Sequence, residues 1–177
     1  MCNDVTPATD PDMLEVGRLA NSTEDRSHFG AWAVSSSPLI LGFDLADAAK
    51  MDRAWPIISN TEVLEVNQAW AGSPGVRLHA SISYQVWAKP LGTGRHALFV
   101  ISNASQPLDI SVPLADVARE FSGGAAVQAR DLYAHQDLGA LSGSNVTVAG
   151  LLPHDSSFLV LSLKKGTLIS KAALRES

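Results

Sequence analysis

One cysteine, Cys2, stands in 177 residues, so the chain cannot close an internal disulfide and has no cysteine framework. Basic residues are also scarce. Thirteen Lys and Arg face 18 Asp and Glu, for a net charge of −5, and the longest basic run is Lys164-Lys165. Nucleic-acid binding needs a positive stripe that displaces phosphate counterions, and none is present. No apolar run approaches the ~20 residues of a membrane-spanning helix. The opening Met1-Cys2-Asn3-Asp4-Val5-Thr6-Pro7 is polar and lacks an apolar core, so no secretory signal is expected on the chain as written. Glycine-rich phosphate loops and the G-x-S-x-G nucleophile turn are missing. The histidines at 79, 96, 135 and 154 are too scattered for a zinc motif. Neither cofactor nor metal is expected.

What remains is ordinary globular material, 46% hydrophobic and 18% charged. The length suits one domain or one and a half. The pattern changes along the chain. Residues 1–9 have no period and read as a disordered lead-in. The spacing of Phe29, Trp32, Ala33 and Ser36 predicts a helix over 24–36. Leu39 to Phe43 is a short continuous apolar run, the pattern of a parallel strand buried on both faces. Asp44 or Asp47 can cap a further helix and Asn60 another. Beyond Ala71-Gly72-Ser73-Pro74-Gly75 the period becomes two, with short strands set off by Gly, Pro and Asn turns. Candidate strands are 82–87, 97–101, 108–112, 127–132, 146–148 and 158–163, with one short helix at 114–121. Residues 10–70 therefore read as an α/β segment and 76–163 as an antiparallel β-sandwich able to fold on its own. Residues 164–177 read as a polar tail.

Four segments carry a family likeness: Asp10-Pro11-Asp12-Met13-Leu14-Glu15-Val16-Gly17; Glu24-Asp25-Arg26-Ser27-His28-Phe29 followed by Trp32; Pro38-Leu39-Ile40-Leu41-Gly42-Phe43-Asp44-Leu45; and Asn60-Thr61-Glu62-Val63-Leu64-Glu65-Val66-Asn67-Gln68. In this order they resemble the retaining α-galactosidases, glycoside hydrolase family 27. The C-terminal match is looser, through Asp131-Leu132-Tyr133, Asp137-Leu138-Gly139 and Pro153-His154. The resemblance implies the last strands and helices of a (β/α)8 barrel followed by an antiparallel sandwich. A whole barrel takes ~250 residues, so the chain is expected to hold only a barrel remnant.

The implied activity is hydrolysis of terminal α-D-galactosyl bonds through two carboxyl groups. In the family, the nucleophile sits in a K-x-D motif and the acid/base on a later strand, both upstream of D-P-D-M. Upstream of that segment this chain offers only Asp4, and no K-x-D is expected in it. No catalytic residue is therefore assigned, and the chain alone is expected to be inactive. The resemblance assigns Asp12 and Met13 to the lining of the galactose pocket. Read from the residues, Asp12 is equally a loop aspartate satisfying backbone amides. Two other readings stand beside the hydrolase: a non-catalytic carbohydrate-binding sandwich, and one half of a two-chain glycosidase. In the second, an unpaired sheet edge invites a partner chain or self-association. His28, four residues after Glu24, reads as a packed structural histidine. Sequons at Asn21, Asn103 and Asn145 suit a glycoprotein of the secretory pathway, and the family suggests a secreted, vacuolar or lysosomal setting.

Overall fold

The computed structural model of the protein describes residues 12–164. The lead-in at 1–9, Asp10 and the tail beyond Lys164 lie outside the described residues.

Helix α1 (Ser22–Val34) begins where Asn21 accepts a hydrogen bond from the Glu24 amide, and carries Glu24 and Asp25 in its first turn. Both features suit the positive end of a helix. Ser36, at φ +60°, and Pro38 end it. Asp47 caps α2 (Ala48–Ile58) through the Lys50 amide, while Asp44 accepts from the Ala46 amide in the turn before it. Pro56 lies inside α2. Asn60 caps α3 (Thr61–Gln68) through the Glu62 and Val63 amides, and its own side-chain amide donates to the Leu132 carbonyl at 2.8 Å. One residue thus starts a helix and ties it to the β region.

Eight strands follow: β1 (Val76–Ala80), β2 (Tyr84–Pro90), β3 (Arg95–Ser102), β4 (Leu108–Pro113), β5 (Val127–Asp131), β6 (Gln136–Ala140), β7 (Asn145–Leu151) and β8 (Ser156–Leu163). Between β4 and β5 lie α4 (Leu114–Val117) and a 3-10 turn, Arg119–Phe121. A six-stranded sheet runs β1-β2-β3-β8-β5-β6, and β4 pairs with β7 in a second sheet. Every pairing is antiparallel.

The large sheet is buried on both faces at its centre. Leu98 and Val100 of β3, with Leu159 and Leu161 of β8, meet Ile110, Val112, Val146 and Val148 of the small sheet. The alternate residues Ala97, Phe99 and Phe158 point the other way, into a second core with Phe29, Ala33 and Val34 of α1 and Val63 and Val66 of α3. Strand side chains alternate between faces, so a sheet covered twice must be apolar continuously, as Ala97 to Ile101 is. An antiparallel sandwich preceded by helices and parallel barrel-type segments is the fold class expected.

Two local expectations fail, and two strands are additional. Leu39 to Phe43 is not a strand buried on both faces. It makes an isolated parallel bridge, Leu14 to Leu41, and Ile40 is 59% exposed. Parallel strands need partners on both edges and helices over both faces. Ile82, expected in a strand, sits 95% exposed in the turn before β2. Edge strands β1 and β6 were not anticipated. All five residues of β6 are exposed, so no alternation betrays it.

Candidate sugar-contact site

Residues 12–17 pass beside α1 and are held there. The Asp12 carboxylate accepts from the Met13 amide at 2.7 Å. The Trp32 indole donates to the Asp12 carbonyl at 3.0 Å. Leu14 donates to the Ile40 carbonyl at 2.8 Å, and the Glu15 amide donates to His28 Nε2 at 3.0 Å. Met13, 42% exposed, lies along Gly42, where an added Cβ would stand 2.8 Å from its sulfur and 2.7 Å from the Leu14 carbonyl oxygen. Only glycine permits that approach. At the far end, the Gly17 amide donates to Asp25 at 2.8 Å. Asp25 is fully buried, and Arg53 Nε lies 2.9 Å from its second oxygen, close enough to pair but not aligned as a hydrogen bond.

The surroundings of His28 fix its protonation. A backbone N–H can only donate, so Nε2 carries no proton in this arrangement. Burial pushes the imidazole below its ordinary value, and the Glu15 and Asp25 carboxylates offset part of that shift. The ring lies 3.8 Å from that of Trp32, between centroids. Glu24 is not its partner, since it reaches back to the Ala20 amide at 3.4 Å. Helical spacing suggested the wrong pair because the true one comes from a segment outside the helix.

Contrary to the expectation that the chain has no K-x-D, Lys50-Met51-Asp52 carries the letters of that nucleophile motif. It lies in α2, with Lys50 paired to Asp47 at 3.1 Å and Asp52 exposed, and not at the end of a barrel strand. No group of three or more potential metal ligands occurs among the described residues, and none of the described helices is long and apolar enough to cross a membrane. Trp70 is 67% exposed, while Trp87 packs against the second core.

Sequence reasoning missed the polar seam that joins the helices to the sheet. Glu62 of α3 takes both Arg130 Nε and Nη2, at 2.6 and 2.8 Å, and His135 Nδ1 at 2.7 Å. Arg130, and then His135, hold this carboxyl at about 2. Arg26 of α1 pairs with Asp155 at 2.6 Å and lies over the Tyr133 ring. Lys89 of β2 is fully buried and donates to the Val66 carbonyl and, at 3.1 Å, to that of Asn67. It closes the C-terminal end of α3, where a cation suits the dipole. Burial brings its amine down to about 8.

Residues 81–161 match the model of the α-galactosidase C-terminal β-sandwich domain. An α-galactosidase of Oryza sativa subsp. japonica is 37% identical over 153 residues, covering 86% of this chain and 35% of its own length. A GH27 β-L-arabinopyranosidase from Geobacillus stearothermophilus superposes with a TM-score of 0.76 at 25% identity, over 90% of this chain and 38% of the other. The chain belongs to glycoside hydrolase family 27. Within family 27 it corresponds to the C-terminal portion. α-Galactosidase I from Mortierella vinacea gives a TM-score of 0.75 at 27% identity, covering 85% of this chain and 38% of that enzyme. The chain therefore spans about a third of the length of the family 27 proteins it matches.

Proposed function

We propose that this chain supplies the C-terminal part of a retaining α-galactosidase: the Asp12–Met13 contact to the galactose ring and the sandwich that supports it. The carboxylate pair that a retaining mechanism requires comes from polypeptide outside this sequence. The carrying observation is the match to an α-galactosidase at 37% identity over nearly the whole chain, with Met13 left exposed on a segment pinned at both ends. Alone, the chain is expected to hydrolyse aryl α-galactosides no faster than buffer, because covalent and general-acid catalysis each contribute orders of magnitude. Adding the upstream barrel segment should restore turnover, and Asp12→Ala should then raise KM. Turnover by the chain alone that survives Asp10→Ala and disappears in Asp12→Ala would overturn this division of labour.

The barrel-side surface supports a partner for this half. The Leu14–Leu41 bridge leaves Ile40 exposed, and Leu45 and Trp70 are exposed too. Unpaired edges of this kind recruit further strands. Amides of Leu39 to Phe43 should exchange with solvent faster than those of Val86 or Val160. Equal protection in a proven monomer would remove the case for a partner or for self-association. A non-catalytic sugar-binding sandwich would show exposed aromatics in a row on a sheet face. The exposed tryptophans among the described residues, Trp55 and Trp70, lie on the helical side.

A further inference from the structure

We propose that His28 and Trp32 are positioning residues for the Asp12–Met13 segment, a two-point pin through which α1 and the sandwich behind it set where the sugar-contact side chains stand. That these side chains contact sugar rests on the function proposed above; the pin itself rests on geometry. The Trp32 indole holds the Asp12 carbonyl and His28 Nε2 holds the Glu15 amide, both at 3.0 Å. The two bonds bracket Met13 and Leu14. Among the described residues, no other side chain outside the segment bonds to the backbone of residues 12–15. His28 and Trp32 are four apart on one helix, where side chains meet, and their rings lie against each other with planes tilted by 36°.

The helix that carries them is fixed from the opposite side. The Ser27 hydroxyl bonds the His154 carbonyl and the Ser156 hydroxyl at 2.9 Å each, and Arg26 pairs with Asp155 at 2.6 Å. Gly30 lets α1 approach so closely that an added Cβ would stand 2.4 Å from the Tyr133 hydroxyl and 2.5 Å from Phe99. The route from β8 to Asp12 is therefore a chain of direct contacts.

A packing role alone would be met by any flat ring, whereas the pin needs an acceptor at Nε2. Charging the imidazole removes that acceptor. The charges facing it are Glu15, paired with Arg18, and Asp25, paired with Arg53. The pin is thus set with His28 neutral and released in acid.

Hydrogen exchange on the intact chain tests this. In His28→Phe the Glu15 amide should exchange about tenfold faster, while Leu98 in β3 is unchanged. His28→Gln, whose amide oxygen can accept, should recover most of the protection. In the unaltered protein, protection of Glu15 relative to Leu98 should fall in acid, at a pH below the ordinary histidine value of 6.5. Undiminished Glu15 protection in His28→Phe overturns the pin. If that variant fails to fold, relative protection that stays constant over the whole acid range in which the unaltered chain remains folded overturns it instead. An Asp12→Ala substitution that leaves KM unchanged in the complemented enzyme removes the sugar reading and leaves the pin standing.

Discussion

The two regions of this molecule solve the burial problem in opposite ways. The strands from Val76 to Leu163 make a core between two sheets from one contiguous stretch of chain. The helices from Ser22 to Gln68 make no such closed core. Their buried residues, Phe29, Ala33, Val63 and Val66, rest on the outer face of the large sheet, against Ala97, Phe99 and Phe158. Their other side leaves Ile40, Trp55 and Trp70 in water. The sheet is thus a shared wall: one face belongs to the sandwich, the other to whatever the helices help to build. Sequence contiguity makes 76–163 look self-sufficient, and the second face is what that view omits.

The largest effect should come from separating the regions. A chain cut to residues 75–164 would bare Phe99, Phe158 and their neighbours. It is expected to stay β-rich but to bind apolar dyes and self-associate. A soluble monomer that unfolds cooperatively would show that the sandwich does not need its outer cover. Within the whole chain, Phe158→Ala should cost ~3–5 kcal/mol in urea unfolding. If the wall is shared, helical and strand signals should move together. Helical signal lost at lower urea, with the strand transition unmoved, would mean that the regions are coupled only loosely.

Lys89 tests the seam chemically. Its folded amine sits at about 8, below the ~10.4 of an unfolded lysine. Between those values the unfolded chain binds more protons, so the sign is unusual: stability should rise as pH climbs from about 8 to about 10. The rise, ~2 kcal/mol, should be absent in Lys89→Met. A flat difference between the two proteins over that range would mean that the amine is not desolvated. Glu62 has the opposite sense. Its carboxyl is held at about 2, so its contribution is complete above the ordinary value of 4.5 and is lost as pH falls toward 2. Glu62→Gln should cost ~1–2 kcal/mol near neutral pH and progressively less in acid. A cost that does not shrink would assign the loss to packing.

Much of this was legible in the residues. Alternation marked β2 and β4, apolar stretches between turns marked β7 and β8, and Asn60 and Asp47 announced their helices. The segments around Asp12 and Met13 pointed to the family. Other features were hidden for physical reasons. Ala97 to Ile101 and Leu39 to Phe43 are both continuous apolar runs, yet one is a central strand and the other a single bridge. Apolar content records that a segment wants partners and not whether they are present. The bond between His28 and the Glu15 amide leaves no side-chain signature, because any residue except proline could supply that N–H. Lys89 reads as a surface lysine on a strand, and only the position of α3 turns it inward.

The strand order carries a consequence for how the protein is made. β8 is the last described strand to leave the ribosome, yet it lies between β3 and β5. Until it arrives, one edge of β3 and one of β5 wait unpaired, and β3 is apolar on both faces. The same stretch supplies Asp155, Ser156 and Phe158, on which α1 settles. Closure of the sheet and docking of the helix therefore fall in one late, long-range step. A nascent chain stalled before Phe158 should be a persistent client of chaperones that bind exposed strands.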